Sequence, residues 1–448
     1  MTLQDSICAQ ISAAGNAAIS VLRISGSDAI GIVAKFFIPA DKLLSSPSHR
    51  LIHGMFHNAQ GKPIDEVLLS VFRAPHSYTG ENSVEISCHG NPNLAGRIME
   101  SLLLHARMAK PGEFTLRAYL NGKLDLSQAE AVNDLITAKA SKAESAALMQ
   151  LQGILGSHLQ GILSRIGEAR LRCELAIDFA DQDLPQIDLD DLNNRIVGLI
   201  NDISALTAKG EQGRCIREGI KICLAGAPNA GKSSLFNALL QQNRAIVTPH
   251  PGTTRDYLEE SISLNGFPLV IYDTAGLRSS NDEVESAGIA KSYELMQSAD
   301  IIIYLIDASQ RASCDATEID PDYLHKTIIV YSKADLLSSS KPLDCSDIYC
   351  SVIQPKGLDA LSSAILKRLM LSDDILNEPL ATNSRHLAAL AKSKLALTNA
   401  KAALDDNAGY EFIAFELISA ANAIEEIVGT VSTDEMLDNI FSNFCIGK

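Results

Sequence analysis

The sequence contains no Cys-x-x-Cys pair, no tryptophan and no long run of uncharged apolar residues. The absence of such a run predicts that no helix crosses a membrane, because a spanning helix needs about 20 consecutive apolar residues. The start, MTLQDSICAQISAAG, lacks the basic and apolar segments of a secretion signal and the Arg-rich character of an organelle transit peptide. We therefore expect a cytoplasmic protein without a membrane partner.

Cysteine is present but unpatterned, with nine residues scattered through the chain. Cys88 and His89 are adjacent, yet no other cysteine or histidine stands near them in sequence to complete a metal site. We interpret the cysteines as small buried side chains in a reducing compartment.

Positive charge is also scarce. The 38 Lys and Arg residues are outnumbered by 54 Asp and Glu residues, which gives a net charge of −16 and a pI near 5.1. This balance disfavours non-specific binding of nucleic acid by the whole surface. A nucleic-acid substrate would have to meet a local basic pocket or arrive on a partner.

Three patterns follow one another along the chain. Residues 1–118 contain alternating strand-like runs at 18–25, 66–75 and 82–89, and a helix-like segment at 91–107. Residues 119–215 carry apolar residues at helical spacing, and the acidic stretch 181–191 is interpreted as a solvated loop between two helices. In residues 216–372 short apolar strands alternate with helices, as in a parallel, doubly wound sheet.

Helical spacing returns in residues 373–448, where Leu390, Leu397 and Leu404 are seven apart. The simplest interpretation is one helical domain, split in sequence, with an α/β domain inserted into it. The predicted fold class is therefore α/β multidomain, with an α+β N-terminal domain, a split α-helical domain and an inserted doubly wound domain.

The segment GAPNAGKS (226–233) fits the P-loop pattern G-x-x-x-x-G-K-[ST] between a predicted strand and a predicted helix. Its glycines let the backbone N–H groups surround phosphates, Lys232 reaches the β- and γ-phosphates, and the Ser233 hydroxyl binds Mg²⁺. Downstream, PGTTRD offers Thr254 as a second Mg²⁺ ligand, and DTAG (273–276) offers an Asp near the metal and a glycine N–H near the γ-phosphate.

A further motif, SKAD (332–335), indicates the base. Asp335 can accept both the N1–H and the N2–H of guanine, which adenine does not offer, and the stem of Lys333 covers the base face. CSVIQPKG (350–357) supplies backbone near the guanine O6. Together with the P-loop, PGTTRD and DTAG, these elements stand in the order of the five GTPase motifs and predict an inserted P-loop GTPase domain.

Two residues depart from the usual GTPase motifs: Ser332 stands for Asn, and Val352 for Ala. Because a hydroxyl does not donate twice and accept once as an amide does, nucleotide affinity is predicted to fall while guanine specificity survives. The residue after DTAG is Leu277, so the usual water-orienting glutamine is missing. The residues alone leave several candidates open for hydrolysis: Asp282, Glu283 and Glu285 for the water, Arg255 and Arg278 as fingers, and Asn229 as a ligand of a monovalent cation.

The whole chain resembles the tRNA-modification GTPase family called MnmE or TrmE. The resemblance lies in LRISG, SYTGENSVEISCHG, KPGEFTLRAYLNGKLDLSQAEAVNDLI, GAPNAGKSSLFNAL, PGTTRD, DTAGLR and the terminal IFSNFCIGK. It implies an N-terminal folate-binding and dimerisation domain (1–118), the two parts of a helical domain (119–215 and 373–448) and a G domain (216–372).

The resemblance also implies an activity: with a flavoprotein partner, MnmG (GidA), a homodimer in a heterotetramer or larger assembly adds an aminomethyl or carboxymethylaminomethyl group at C5 of the tRNA wobble uridine. The carbon comes from 5-formyl- or 5,10-methylene-tetrahydrofolate. The resemblance further implies Mg²⁺ as a cofactor and GTP hydrolysis that is activated by potassium-dependent pairing of two G domains, with the K⁺ ion in the role of an arginine finger. Glu285 resembles the residue that positions water.

The site residues implied are of four kinds. The K⁺ ligands are Asn229, Thr248, His250 and Thr253. The folate contacts are Arg23, Glu85, Lys123 and Lys448. The candidate catalytic residues are Lys232, Glu285 and Cys445. The GTP-binding set is Asn229, Ala230, Gly231, Lys232, Ser233, Ser234, Thr248, Thr253, Thr254, Asp273, Thr274, Ala275, Gly276, Ser332, Lys333, Asp335, Ser351 and Val352.

Two alternatives stay open. Cys445 either reacts with the one-carbon unit or only packs against the folate. The chain as a whole could instead be a GTP-gated ribosome-assembly factor or RNA-binding switch, which would carry an RNA-binding domain with a basic patch. The helical flanks and the negative charge favour the enzyme.

Overall fold

The computed structural model describes residues 5–178, 188–242, 259–273, 293–310, 320–337, 347–353 and 357–448. The chain divides into two compact units. The first comprises Met1–Asn133, Leu151–Gly156 and Glu425–Lys448, and the second comprises Asp134–Gln150 and Ser157–Ile424. None of the described helices combines the length and the apolar composition that crossing a bilayer requires.

The first unit is built on a seven-stranded sheet of order β3-β4-β5-β6-β2-β1-β7. Neighbouring strands are antiparallel, except that β1 and β7 are parallel. All three strands predicted from residue alternation are present. The strands are β1 (Ile7–Gln10), β2 (Ile19–Ser25), β3 (Phe37–Ile38), β4 (Arg50–His57), β5 (Pro63–Phe72), β6 (Ser83–His89) and β7 (Arg107–Met108).

One face of this sheet carries the core. Along β2 and β6 every second residue is buried, including Leu22, Ile24, Val84 and Ile86. These side chains share an apolar cluster with residues of α1 (Ala29–Ala34) and α3 (Pro92–Leu102). The intervening residues therefore point to the opposite face.

The helix predicted at 91–107 begins where expected and ends early. Asn91 caps α3 by accepting a hydrogen bond from the backbone N–H of Asn93. The helix ends at Leu102, and Arg107 instead begins β7. The strand forms because residues 107–108 pair with β1 and because the Arg107 guanidinium binds the carboxylate of Glu113. This unit also contains α2 (Ala40–Ser45), α4 (Glu113–Leu120), most of α5 (Leu126–Thr137) and α14 (Asp434–Phe441).

The second unit contains a six-stranded sheet of order β13-β12-β11-β8-β10-β9. Five strands are parallel, as predicted, and β9 pairs antiparallel with β10. The strands are β8 (Ile220–Gly226), β9 (Glu259–Leu264), β10 (Phe267–Asp273), β11 (Ile301–Asp307), β12 (Thr327–Ser332) and β13 (Ile348–Tyr349).

Both faces of this parallel sheet are covered. In β8, Ile222 and Leu224 belong to an apolar cluster with α10 (Lys232–Gln242) and α11 (Leu358–Arg368), whereas Cys223 and Ala225 pack on the other side with helical residues near 295–299. Burial on both faces explains why these strands are nearly continuous apolar runs. The doubly wound architecture is confirmed.

Strand β9 was not predicted from the sequence. It joins β10 through the dipeptide Asn265-Gly266, whose φ angles of 49° and 86° are both left-handed. Such angles at both central residues belong to a tight hairpin turn. A Cβ on Gly266 would lie 2.7 Å from Ser141 Oγ, so any other residue there would also displace that hydroxyl.

The helical spacing in the rest of the chain is confirmed. The helices are α6 (Ser141–Leu151), α7 (Ile154–Asp178), α8 (Leu189–Ala208), α9 (Gly210–Glu218), α12 (Ser384–Asp405) and α13 (Tyr410–Val428). Leu390, Leu397 and Leu404 are all buried on α12. Helix α12 packs against α8, although the six-stranded sheet lies between them in sequence.

The prediction of a loop over the acidic stretch 181–191 is wrong for its last residues. Residues 181–187 lie outside the described residues, but Asp188 caps α8 by accepting hydrogen bonds from the backbone N–H groups of Asp190 and Asp191. Leu189–Asp191 form the first turn of that helix. Carboxylates are favourable there because the helix N-terminus carries partial positive charge.

Candidate functional site

The P-loop lies between β8 and α10, as its sequence predicts. Gly226, Asn229 and Gly231 have positive φ angles of 132°, 62° and 94°. A Cβ on Gly226 would lie 2.3 Å from the backbone oxygen of Leu305, so glycine is required there for space as well as for conformation. Asparagine tolerates the left-handed region better than most residues, and Asn229 is exposed.

Lys232 is the first residue of α10 and is 9% exposed. Its ammonium donates hydrogen bonds to the carbonyl oxygens of Gly226 and Ala227, both at 2.8 Å. The cation is thereby held inside the loop. The motif thus ends in the first turn of α10, and the backbone N–H groups at a helix N-terminus bind phosphate readily.

Asp273 is the last residue of β10 and pairs in register with Leu224 of β8. Its backbone therefore lies at the same edge of the sheet as the P-loop. The remaining predicted residues of this part of the GTP site lie outside the described residues: Thr248, His250, Thr253, Thr254, Thr274, Ala275, Gly276 and Glu285.

Ser332, which stands where GTPases usually have asparagine, is buried at the end of β12. Its hydroxyl donates to the carbonyl oxygen of Ala230 in the P-loop at 2.6 Å, and the Ile306 carbonyl lies 3.2 Å away. The hydroxyl thus ties the fourth motif to the P-loop. Sequence analysis identified Ser332 but not this contact.

The other predicted base-binding residues are brought together beside Ser332. The carboxylate of Asp335 accepts a hydrogen bond from the buried hydroxyl of Ser351 at 2.5 Å, which fixes its orientation. The neighbouring Val352 is exposed. The ammonium of Lys333 lies 2.7 Å from Asp307, a residue that sequence analysis missed. The sequence pattern that marks Asp307 is its position at the end of an apolar strand.

A second group of predicted residues lies on the face of the first unit's sheet opposite the cluster formed with α1 and α3. Arg23 of β2 and Glu85 of β6 are paired in register, and the Arg23 guanidinium donates two hydrogen bonds to Glu85 Oε1 at 3.0 and 2.7 Å. The same guanidinium lies 5.2 Å from the ring centroid of Tyr78 and 5.4 Å from that of Phe114. Arg23 is thus ion-paired with Glu85 and is in contact with two aromatic rings.

The C-terminal segment docks beside this pair. The backbone N–H of Phe114 donates to the Lys448 carbonyl at 3.2 Å, and Phe441 and Phe444 are buried against α4 and α5. Cys445 is exposed. Lys123 lies farther along the same unit, where its ammonium donates to the Pro75 carbonyl at 3.2 Å.

The segment KPGEFTLRAYLNGKLDLSQAEAVNDLI (110–136) contributes Glu113 and Arg117 to a buried ionic network that the sequence did not predict. Arg117, which is 1% exposed, donates hydrogen bonds to Glu113, Glu81 and Asp5. Glu113 also accepts two hydrogen bonds from Arg107, at 2.7 and 2.5 Å. One sequence pattern could have indicated part of this network: Glu113 and Arg117 are four residues apart on a helix, the spacing at which side chains meet.

Metal binding by cysteine is not supported by the described residues. Cys88 is buried, its Sγ donates to the Ser20 carbonyl, and burial raises the pKa of its thiol to about 11. Across the described ranges, no three His, Cys, Asp or Glu side chains gather closely enough to hold a metal ion. The six described cysteines other than Cys445 are buried, as predicted.

These observations define a P-loop nucleotide-binding protein with additional helical and α+β parts.

The family model described as "MnmE helical domain" matches residues 126–445, and "GTP-binding protein TrmE N-terminus" matches residues 6–123. The chain is 40% identical over 466 residues to the tRNA modification GTPase MnmE of Moorella thermoacetica and 40% identical over 456 residues to that of Syntrophotalea carbinolica. Identity to the Clostridioides difficile protein of the same name is 39% over 461 residues, and all three alignments cover 100% of both chains. The chain belongs to the MnmE family of GTPases.

Proposed function

We propose that this chain hydrolyses GTP in order to modify C5 of the tRNA wobble uridine, together with the flavoprotein MnmG (GidA). The observation that carries the proposal is the P-loop geometry in a chain that matches, end to end, relatives named tRNA modification GTPase. The negative overall charge fits an arrangement in which tRNA meets a local pocket or arrives on the partner.

At the nucleotide site, Lys232 supplies positive charge to the β- and γ-phosphates, and Ser233, Thr254 and Asp273 hold Mg²⁺. The metal neutralises charge that develops on the phosphates during hydrolysis. The exposed, left-handed Asn229 offers a side-chain oxygen beside the loop for K⁺, with Thr248, His250 and Thr253 as the other ligands. Glu285 orients the attacking water.

At the site on the first unit's sheet, Glu85 accepts hydrogen bonds from the amino-pyrimidine edge of a tetrahydrofolate. Arg23 is held beside it, and Lys123 and Lys448 pair with the negatively charged glutamate tail. The rings of Tyr78 and Phe114 fit a flat, heterocyclic ligand, since both already flank a planar guanidinium. The folate, as the 5-formyl or 5,10-methylene form, supplies the one-carbon unit.

The proposed assembly is a cytoplasmic homodimer that joins MnmG in a heterotetramer or larger complex. We also propose the division into an N-terminal domain (1–118), a helical domain in two parts (119–215 and 373–448) and an inserted G domain (216–372). The packing of α8 against α12 supports the split helical domain, because these helices come from its two parts.

The deciding measurement is the steady-state rate of GTP hydrolysis in potassium chloride and in sodium chloride at equal ionic strength. We expect strong stimulation by potassium alone. Equal rates in both salts would contradict the cation role and favour the GTP-gated switch instead.

The variant Asn229→Gly should lose the stimulation, since glycine keeps the left-handed backbone and removes only the side chain. Asn407→Gly is the matched control, because Asn407 is an exposed asparagine in the same conformation, at a φ of 51°, at the end of α12. Loss of stimulation in both variants would show that Asn229 has no specific role.

A further inference from the structure

The side chain of Lys333 is fixed at both ends. Its backbone is left-handed, with a φ of 54°, and begins the short 3-10 turn Ala334–Leu336. Its ammonium donates to Asp307 Oδ2 at 2.7 Å. Because the backbone sets one end and the carboxylate the other, the aliphatic stem between them has a defined course along the carboxyl edge of the sheet.

Asp307 is itself held in place for this contact. The backbone N–H and the hydroxyl of Ser309 both donate to Asp307 Oδ1, at 3.0 and 2.7 Å. Oδ2 therefore remains for Lys333. Asp307 ends β11 directly opposite Ser332 of β12, and its side chain is 13% exposed. The hydrogen bond from Lys333 holds the pKa of Asp307 below its ordinary value, so the carboxylate stays ionised.

An ordered lysine stem matters for binding a flat base. A free lysine side chain gives up about 1.5–2 kcal/mol of rotamer entropy when it is immobilised. If the stem is ordered before the nucleotide arrives, this entropy cost does not reduce the free energy of binding. The contact between an aliphatic stem and the face of a base is apolar. It therefore depends on the position of the stem and not on the charge of the ammonium.

We propose that Asp307 is a positioning residue for the guanine nucleotide, which it serves by holding the Lys333 stem against the base face. This inference rests on the proposed function, because it assumes that GTP and GDP occupy the site. The side-chain partners of Asp307 are Ser309 and Lys333, so the contribution that we assign to it is to affinity and not to the chemical step.

The test is a double-mutant cycle read out as the Kd of a fluorescent GDP analogue, using the full chain. Asp307→Asn keeps the shape but replaces the ion pair by a weaker hydrogen bond from the ammonium to a neutral amide oxygen, which we expect to raise Kd about fivefold. Lys333→Met keeps an apolar stem without the ammonium. In that background Asp307→Asn should change Kd less than about twofold, because the partner is gone.

A control variant, Asp322→Asn, makes the same charge change at an exposed position of the same unit and should leave Kd unchanged. Steady-state kinetics add a readout that a general loss of structure would not give: Asp307→Asn should raise KM for GTP with kcat unchanged. An equal loss of affinity in the native and Lys333→Met backgrounds would overturn the proposal, as would an unchanged Kd in the native background. If the unaltered chain bound no guanine nucleotide, the proposed function itself would fail, and this inference with it.

Discussion

Replacing Ser332 by asparagine should tighten the binding of GDP. The Ser332 hydroxyl has one hydrogen to donate, and it is committed to the Ala230 carbonyl at 2.6 Å. An asparagine amide carries two N–H donors and a carbonyl acceptor. It can therefore keep the tie to the P-loop and still offer a donor and an acceptor to the nucleotide.

The expected size follows from one added hydrogen bond. A typical net contribution is about 1 kcal/mol, which corresponds to roughly a fivefold decrease in Kd. Ser332 is buried, with 7% of its surface exposed, so a larger side chain has to displace its neighbours. The extra atoms of asparagine should therefore lower the free energy of unfolding by on the order of 1 kcal/mol.

The assay is equilibrium titration with a fluorescent GDP analogue, with the thermal midpoint measured alongside to show that the variant is folded. Ser332→Ala is the matched control: it removes the donor to Ala230, which should cost about 1–3 kcal/mol and weaken binding. A folded Ser332→Asn variant with the same Kd as the native chain would refute the reasoning, because the limiting factor would then lie elsewhere in the site.

Two further predictions concern the first unit. Arg117→Met should lower the free energy of unfolding by about 3–5 kcal/mol in chemical denaturation, because Glu113 and Asp5 lose a buried partner, whereas a change below about 1 kcal/mol would mean that the network is solvated. Burial raises the pKa of Glu113, but hydrogen bonds from Arg107, the Lys110 backbone and Arg117 outweigh it, so its pKa in the folded state is lowered. Stability from this group is present above the unfolded pKa of about 4.3 and lost as pH falls through the folded value, which a denaturation series from pH 7 to pH 3 should show and Arg117→Met should flatten. Cys445→Ser should leave the free energy of unfolding within about 0.5 kcal/mol, because the thiol is exposed, so any loss of tRNA modification in that variant would point to chemistry at the sulfur.

Local patterns in the sequence were sufficient for much of the fold. The P-loop was predictable because its conformation depends on glycines and a lysine within eight consecutive residues. The strands β2, β5 and β6 were predictable because one face of each is buried, which imposes alternation. Strand β9 was not predicted, although Asn265-Gly266 is a strong hairpin pattern.

The contacts that refine the sites were not predictable, because they join residues far apart in the chain. Ser332 and Ala230 are 102 positions apart, and Arg117 and Asp5 are 112 apart. The pairing of Lys333 with Asp307 depends on the order of β11 and β12 in the sheet, which periodicity does not reveal. Residue type alone gave Ser332 and Lys333 as candidates, whereas their partners required three-dimensional structure.

The hairpin turn at Asn265-Gly266 also sets a distance. The Gly266 carbonyl accepts a hydrogen bond from the backbone N–H of Lys142 at the start of α6, and Lys142 lies over the ring of Phe267. From Phe267 to Asp273, β10 is an unbroken strand, whose rise of about 3.3 Å per residue gives a length of roughly 20 Å. Strand β10 therefore sets a fixed distance. Asp273 lies at one end, at the edge of the sheet that carries the P-loop, and Gly266 at the other end is hydrogen-bonded to α6.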